Sequence, residues 1–228
     1  MSVFKDKVVF VTGAGSGIGR ALARELAGQG AVVVATDRNQ QWAQETAEGI
    51  VSSGGKAEGA ELDVVDAEAV GRLVEQTASK HGKLDYIFNN AGIGIFAEAR
   101  DHTLEDWYTT LDINLRGVIH GVNAAYPIML KQGSGHIVNT ASLAGLVPAN
   151  NEIAYAASKF AVVGLTTTLR GVVVGADVVG RQAGGDQIIA LPPGGVLHAH
   201  GKGVQVRELA RGDGRGLHLA PHAAPSGG

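Results

Sequence analysis

Residues 7–19 read KVVFVTGAGSGIG, a strand pattern that runs through a glycine-rich turn into a helix pattern. The first part, Lys7–Thr12, is a short apolar run rich in β-branched residues, which predicts a buried strand of a parallel sheet. After the turn, Ile18–Ala27 has a large apolar residue at every fourth position, which predicts a helix with one apolar face. A strand, a turn and a helix in this order form the first half of a βαβ unit.

The same alternation continues along the chain to Arg170. Further strands are predicted at Ala31–Thr36, Ala57–Val64, Leu84–Phe88 and Gly135–Ala141. Helices are predicted at Gln41–Ser52, Asp66–Lys80, Leu104–Lys131 and Glu152–Arg170. Strands that alternate with helices are joined by right-handed crossovers, which give a parallel sheet with helices on both faces. We therefore predict an α/β fold with a Rossmann-type, doubly wound parallel sheet in a single domain.

Composition and charge argue against several classes of function. The 228 residues include 19 basic and 22 acidic side chains, and a net charge of −3 argues against a nucleic-acid-binding surface. No apolar run is long enough to cross a bilayer, so no membrane segment is predicted. Lys5, Asp6 and Lys7 interrupt the start of the chain before a secretory signal can form. Because the chain has no cysteine, we expect no disulfide framework and no thiolate metal site, which fits a cytoplasmic protein.

The glycine-rich turn predicts a phosphate-binding site. Glycines let the backbone approach a pyrophosphate, and the helix that follows offers unpaired N–H groups and a partial positive charge. The spacing is G-x-x-x-G-x-G, and the absence of a G-K-[ST] sequence argues against an ATPase-type loop. The alternative is a tight turn that only requires positive φ angles. The candidate cofactor-binding residues in this turn are Gly13, Ser16, Gly17, Ile18 and Gly19.

Asp37, at the end of the second predicted strand, indicates which dinucleotide is bound. A carboxylate at this position accepts hydrogen bonds from the adenosine ribose hydroxyls and repels a 2′-phosphate, which favours NAD over NADP. Arg38 can neutralise such a phosphate, so NADP stays open. The alternative is that Asp37 is only a turn or cap residue.

A possible catalytic set comes from the fifth strand and the last predicted helix. Tyr155 and Lys159 lie four residues apart, so they share one face of the helix. A nearby ammonium stabilises a phenolate, which makes a tyrosine usable as a proton donor and acceptor. Ser142 follows the fifth strand, where open α/β sheets bind their ligands, and its hydroxyl can hold a substrate oxygen. A Y-x-x-x-K pair alone also occurs by chance on ordinary amphipathic helices.

These motifs together resemble the short-chain dehydrogenase/reductase family, over about residues 7–170. The turn matches T-G-x-x-x-G-x-G from Thr12 to Gly19, and Asn89–Gly92 matches N-N-A-G. The step of 13 residues between the serine and the tyrosine is also that of the family. Further matches are the helix asparagine Asn114, the serine Ser142, the pair Tyr155 and Lys159, and the adenine-contacting pair Asp63 and Val64.

The resemblance implies an NAD(P)-dependent oxidoreductase of class EC 1.1.1 that interconverts a secondary alcohol and a ketone. Tyr155 would exchange a proton with the substrate oxygen, and Lys159 would also bind the nicotinamide ribose. Ser142 would polarise the substrate, and Asn114 would hold a water molecule in the proton relay. Asn90 and Gly92 would border the cofactor. A homodimer or homotetramer acting on a small molecule is the usual assembly of the family.

The composition changes near Arg170. Fourteen of the 34 glycines and four of the six prolines lie in residues 171–228, whereas every aromatic residue lies before them. We therefore divide the chain into a dinucleotide-binding domain of residues 1–170 and a divergent Gly/Pro-rich tail of residues 171–228. We interpret the tail as a shifted reading frame or a substituted terminus, and we expect Lys202–Gly228 to be disordered.

The tail leaves a second function open. The family continues with two more strands and a substrate loop, which this tail does not resemble. The alternative function is therefore a catalytically impaired relative that binds the dinucleotide but lacks a complete substrate lobe. The tail also contains four histidines without an acidic cluster, so no metal site is predicted; they are His198, His200, His218 and His222.

Overall fold

The structure of the protein is a computed structural model. It describes residues 2–170 and four strands at 176–181, 187–191, 195–200 and 203–208; side chains are described only within residues 2–169. The strands are β1 (Val8–Thr12), β2 (Val32–Asp37), β3 (Lys56–Glu61), β4 (Tyr86–Asn89), β5 (His136–Thr140), β6 (Ala176–Arg181), β7 (Gln187–Leu191), β8 (Gly195–His200) and β9 (Gly203–Glu208). The α-helices are α1 (Gly17–Gly28), α2 (Gln40–Ser52), α3 (Ala67–His81), α4 (Leu104–Leu111), α5 (Gly117–Gln132) and α6 (Ile153–Arg170).

The strands form one sheet in the order β3-β2-β1-β4-β5-β6-β7-β8-β9. The strands from β3 to β6 all pair in parallel, which confirms the predicted doubly wound sheet. The order reverses between β1 and β4, because the chain moves outward through β2 and β3 and then returns to the other side of β1. A reversal of this kind opens a crevice at the carboxyl ends of the strands, where ligands bind in open α/β sheets.

Helices cover both faces of the sheet, as predicted. On one face, α1 and α2 pack on alternate residues of the strands, with Phe4, Val11 and Leu26 fully buried. On the other face, α3, α5 and α6 pack on the remaining strand residues, and the core there includes Phe10, Ile87 and Val162. Because each strand is buried on both sides, its apolar run is nearly continuous, and β1 has no exposed position.

Two predicted elements differ from the structure. The predicted helix Leu104–Lys131 is interrupted by a π-helical turn at Asp112–Arg116, which separates α4 from α5. The third strand ends at Glu61 and not at Val64, because the side chain of Asp63 accepts a hydrogen bond from the backbone nitrogen of Val65 and turns the chain. None of the helices described in residues 2–170 is long and apolar enough to cross a membrane.

The region after Arg170 contains strands that the sequence analysis did not predict. The strands β7, β8 and β9 pair antiparallel to their neighbours, unlike the parallel strands before them. Gly203–Glu208 forms a strand within the segment expected to be disordered, and its valines at alternate positions fit a strand. The rest of Lys202–Gly228 lies outside the described residues, and the reading-frame interpretation stays a prediction.

Candidate active site

A cleft of about 820 Å³ opens at the carboxyl ends of β1, β2, β4 and β5. The structure brings every predicted site residue except Asn114 to this cleft. The candidate cofactor-binding residues that line it are Gly13, Ser16, Gly17, Ile18, Gly19, Asp37, Asp63, Val64, Asn90 and Gly92. The candidate catalytic residues that line it are Ser142, Tyr155 and Lys159.

The three motif glycines of the first turn meet different constraints. Gly13 has a φ of +64°, and a Cβ there would lie 2.9 Å from the Cα of Ala91. A Cβ on Gly19 would lie 2.1 Å from the carbonyl oxygen of Gly13, so only glycine fits at that position. Gly17 has a φ of +49°, but no described atom lies within 4 Å of its Cβ position. Gly13 and Gly19 therefore close the turn, whereas Gly17 leaves space on the cleft side, as a phosphate cradle requires.

Thr12 ties the turn to the end of β4. Its hydroxyl oxygen accepts hydrogen bonds from the backbone nitrogens of Asn90 and Ala91, at 2.9 and 3.0 Å. The Asn90 side chain makes a second hydrogen bond to Thr12, because its amide nitrogen donates to the Thr12 carbonyl at 3.0 Å. These bonds join the glycine-rich turn to the N-N-A-G segment, so the two candidate cofactor-binding motifs form one connected edge of the cleft.

Asp37, at the end of β2, organises the part of the cleft next to the glycine-rich turn. One of its carboxylate oxygens accepts from the backbone nitrogen of Gly15, and the other accepts from that of Asn39, each at 3.0 Å. A Cβ on Gly15 would lie 2.7 Å from this carboxylate, so the turn and Asp37 are fitted to each other. Arg38 and the exposed ring of Trp42 line the same part. Trp42 was not predicted, although its position in the first turn of α2, close to Asp37, is a usable signal.

Asp63 and Val64, in the loop after β3, also line the cleft. Val64 is buried, and its side chain fills the space that a Cβ on Gly117 would need, at 2.7 Å. The ring of His120 bonds to the Val64 carbonyl at 2.8 Å. The start of α5 therefore fixes this loop, and the exposed Asp63 side chain lies at the rim.

Tyr155 and Lys159 lie one turn apart near the start of α6. The Lys159 ammonium is 3% exposed and donates to the carbonyl of Thr140 at the end of β5, at 2.8 Å. Its nitrogen lies 5.4 Å from the centre of the Tyr155 ring. Ser142 follows two residues after Thr140, and its hydroxyl oxygen accepts from the backbone nitrogen of Ala144 at 3.2 Å. The three candidate catalytic side chains therefore face one end of the cleft.

Asn114 lies behind this wall and not in it. Its side chain is fully buried in the π-helical turn between α4 and α5. The amide oxygen accepts from the backbone nitrogen of Ile93, and the amide nitrogen donates to the Ile93 carbonyl, both at 2.8 Å. The same nitrogen also donates to the hydroxyl of Ser158, which donates to the carbonyl of Tyr155 at 2.6 Å. Asn114 therefore connects the loop after β4 to the helix that carries Tyr155.

The cleft has further lining residues that the sequence analysis missed. They are Phe96, Val147, Pro148, Ala149 and Glu152. The two loops that supply them are joined by a hydrogen bond from the Ala97 nitrogen to the Asn151 carbonyl, at 3.0 Å. The position of Val147–Glu152 between the serine and the tyrosine was a usable signal. Phe96 had none, because a single aromatic residue in a loop has no pattern.

The described residues that line the cleft fit a dinucleotide, and they include no group that could hold a metal ion. The phosphate turn, a carboxylate at the end of β2 and an apolar pocket beside it follow one another along the cleft, as the parts of a dinucleotide require. Among the side chains that the structure describes, no group of three or more His, Asp or Glu residues could hold a metal ion. The side chains of His198, His200, His218 and His222 lie outside that set.

Comparison with known proteins identifies relatives of about this architecture. A family model described as short chain dehydrogenase matches residues 7–178. A cyclohexanol dehydrogenase from Acinetobacter sp. (strain SE19) is 42% identical over 164 residues, which cover 72% of this chain and 65% of that protein.

Two solved structures extend the comparison. A short chain dehydrogenase/reductase from Burkholderia phymatum in complex with NAD is 38% identical with a TM-score of 0.73, over 78% of this chain and 64% of that one. A metagenomic short-chain oxidoreductase in complex with NADP is 35% identical with a TM-score of 0.69, over 73% of this chain and 76% of that one. This chain thus spans less than two thirds of the Burkholderia protein.

Proposed function

Because the chain belongs to the short-chain dehydrogenase family, we propose that it is an NAD(P)-dependent oxidoreductase that interconverts a secondary alcohol and a ketone. The observation that carries the proposal is the placement of Tyr155, Lys159 and Ser142 at one end of a cleft whose other end is a phosphate turn. The reaction belongs to class EC 1.1.1, and its substrate is a small molecule. A nicotinamide dinucleotide supplies the hydride acceptor in one direction and the hydride donor in the other.

The residues of the long cleft divide the binding of this cofactor among them. The N-terminus of α1, with Ser16, Gly17 and Ile18, faces the phosphates with unpaired backbone N–H groups. Asp37 accepts the ribose hydroxyls of the adenosine, and Asp63 and Val64 border the adenine. Further contacts come from Gly13, Gly19, Asn90 and Gly92 along the edge that Thr12 braces.

Tyr155 is the general acid and base of the proposed reaction. As a phenolate it takes the proton of the alcohol in oxidation, and as a phenol it donates a proton to the carbonyl oxygen in reduction. Lys159 stabilises the deprotonated form through its charge, since its ammonium is held beside the ring by the bond to Thr140. The Ser142 hydroxyl binds the substrate oxygen. Both amide hydrogens of Asn114 are used by Ile93 and Ser158, so a relay water held by Asn114 donates to one of its oxygens.

We assign NAD as the preferred cofactor, with NADP as the alternative. Both oxygens of Asp37 already accept a backbone N–H, which fixes the carboxylate at the rim and keeps a negative charge where the 2′-phosphate of NADP would lie. Arg38 lines the same end and weakens the discrimination. Relatives were solved with each of the two cofactors.

Turnover by the purified full chain tests the proposal. Cyclohexanol is a suitable first substrate, and the absorbance of the reduced nicotinamide reports the reaction. Tyr155→Phe should lower kcat by about 10²- to 10⁴-fold, the usual contribution of a general acid or base. Tyr108→Phe is the matched control, because Tyr108 is 61% exposed on α4 and does not line the cleft.

The same assay distinguishes the proposed enzymatic function from the alternative function. A catalytically impaired relative would be stabilised by the dinucleotide without turning over any alcohol. A ligand at about 100 times its Kd adds about 2.7 kcal/mol of stability, which is a readily measured rise in Tm. A rise in Tm with NAD but no tyrosine-dependent turnover would therefore reject the enzymatic proposal and support the alternative.

We also propose that the protein assembles as a homodimer or homotetramer. The exposed side of α4 supports this assembly, because Leu104 and Tyr108 are large apolar side chains with more than half of their surface accessible. The mass in solution, measured by light scattering, tests it directly. A monomer at the concentration of the activity assay would reject it.

A further inference from the structure

Glu152 occupies a position in the cleft that the proposed reaction does not explain. It lies just before α6, three residues ahead of Tyr155, and its carbonyl oxygen accepts from the backbone nitrogen of Ala156 at 2.7 Å. Asn151, directly before it, has a φ of +61°, which turns the chain from the preceding loop into the helix. Glu152 thus directly precedes the first turn of the helix that carries Tyr155, and both residues line the cleft.

The surroundings of Glu152 are apolar. Phe96, Val147, Pro148 and Ala149 line the same end of the cleft. The ring of Phe96 lies beside Tyr155 across Gly94, since a Cβ on Gly94 would be 3.3 Å from the Phe96 ring and 3.7 Å from the Tyr155 ring. Glu152 is half-buried, and Phe96 and Val147 are exposed, so its carboxylate stays accessible to a molecule bound in the cleft.

The carboxylate of Glu152 differs from the others that line the cleft. Asp37 accepts from the nitrogens of Gly15 and Asn39, and Asp63 accepts from that of Val65. Within the part of the chain whose side chains are described, Glu152 has no hydrogen bond or ion pair through its carboxylate. Its acceptor positions are therefore available to a bound molecule.

From this placement we infer that Glu152 selects a substrate with a second hydrogen-bond donor beside the reacting carbon, namely a vicinal diol or its α-hydroxy ketone. The inference rests on the proposed function and names the substrate class of the same site. The reacting oxygen lies at Tyr155 and Ser142, the hydrocarbon part packs on Phe96 and Val147, and the neighbouring hydroxyl donates to Glu152. A carboxylate accepts such a bond strongly because it is charged.

The same charge disfavours a substrate that is an anion. The positive charge at this end belongs to Lys159, whose ammonium is buried and donates to Thr140. A carboxylate on the substrate would therefore meet the like charge of Glu152, which disfavours its binding. Neutral polyhydroxy compounds fit this end of the cleft, and hydroxy acids do not.

A matched set of three substrates tests the inference on the full chain. Cyclohexanol, cyclohexane-1,2-diol and 2-hydroxycyclohexane-1-carboxylate share a ring and a reacting hydroxyl and differ in the neighbouring group. Glu152→Ala should lower the ratio of kcat/KM for the diol to kcat/KM for cyclohexanol by about tenfold or more, the usual worth of a hydrogen bond to a charged group. Glu152→Gln should raise the relative use of the carboxylate. Glu98→Gln is the control, since Glu98 is exposed, pairs with Arg100 and does not line the cleft.

The outcomes separate this inference from the proposed function. If the wild type turns over cyclohexanol and the diol with a ratio that Glu152→Ala leaves unchanged, the inference is wrong and the proposed function stands. If no alcohol turns over, the proposed function is wrong, and the rise in Tm caused by each substrate in the presence of NAD becomes the measurement. A rise specific to the diol and lost in Glu152→Ala then supports the role of Glu152. An equal rise with the diol and cyclohexanol, or no rise, overturns it.

Discussion

The ammonium nitrogen of Lys159 lies 5.4 Å from the centre of the Tyr155 ring, one turn further along α6. Its hydrogen bond to the Thr140 carbonyl holds the charge at the carboxyl end of β5, where the cleft opens. A lysine that is 3% exposed would otherwise be costly, because a buried charge needs hydrogen-bond partners. The hydrogen bond to Thr140 therefore holds the Lys159 ammonium beside Tyr155, the side chain that we propose as the general acid and base.

Replacing this lysine should affect turnover far more than folding. In Lys159→Met the side chain keeps about the same length and loses its charge, so no unpaired ammonium is left buried. We expect kcat to fall by about 10²-fold or more, because the tyrosine loses the charge that stabilises its deprotonated form. The Kd for NADH should rise as well. Lys131→Met, on the exposed end of α5, is the control, and wild-type turnover by Lys159→Met would contradict the assignment.

Asp37 and Arg38 should control the choice of cofactor in opposite directions. Asp37→Ser removes a charged acceptor from the ribose site, so the Kd for NADH should rise by about 10- to 100-fold, the usual range for a hydrogen bond to a charged group. The Kd for NADPH should fall, since the repulsion of its 2′-phosphate is removed. Arg38→Ala should weaken NADPH binding instead. Titration by nucleotide fluorescence measures all four constants, and equal changes for both nucleotides would show that Asp37 only shapes the loop.

Much of the fold and most of the candidate site could be predicted because both depend on local patterns. The strand Val8–Thr12, the turn after it and the helix Gly17–Gly28 follow from apolar periodicity and glycine spacing alone. The placement of Ser142 and Tyr155 in one cleft follows from the rule that ligands bind at the carboxyl ends of parallel strands.

The remaining features depend on contacts between distant parts of the chain. The π-helical turn at Asp112–Arg116 accompanies the bonds between Asn114 and Ile93, which are 21 residues apart, and no local pattern contains that pairing. Phe96 and Glu152 line the same cleft, and the two loops that carry them are joined by the hydrogen bond from the Ala97 nitrogen to the Asn151 carbonyl. Loop-to-loop contacts of this kind have no periodicity, so a single sequence gives no warning of them.

A half-buried histidine, His136, should make the stability of the protein depend on pH. Burial, together with the nearby charge of Lys7, holds the pKa of His136 below its ordinary value of 6.5, against the opposing influence of Asp85. The unfolded chain therefore binds more protons than the folded chain as the pH falls below about 6.5, and stability is lost in that range. His136→Phe keeps an aromatic ring against Tyr86, whose ring centre lies 4.9 Å away, and removes the titration.

Thermal unfolding at two pH values checks this expectation. The Tm of the wild type should fall between about pH 7.5 and pH 5.5, and the fall should be smaller in His136→Phe. The two proteins should differ most at the lower pH if the variant packs as well as the histidine, because only the wild type loses stability through this titration. An identical fall in both proteins would assign the pH dependence to other groups.

Two glycines of α1 offer a direct test of the phosphate turn. A Cβ on Gly19 would lie 2.1 Å from the Gly13 carbonyl oxygen and 2.6 Å from the Asn90 amide nitrogen, whereas no described atom lies within 4 Å of that position on Gly28. Gly19→Ala should therefore lower the free energy of unfolding by about 1–3 kcal/mol, as overpacking usually does, and weaken NADH binding by displacing the turn. Gly28→Ala should leave both quantities near the wild type or stabilise the helix by up to about 1 kcal/mol. Urea unfolding and NADH titration measure the two effects, and an equal response of both variants would show that the turn does not depend on the close approach of Gly19 to Gly13.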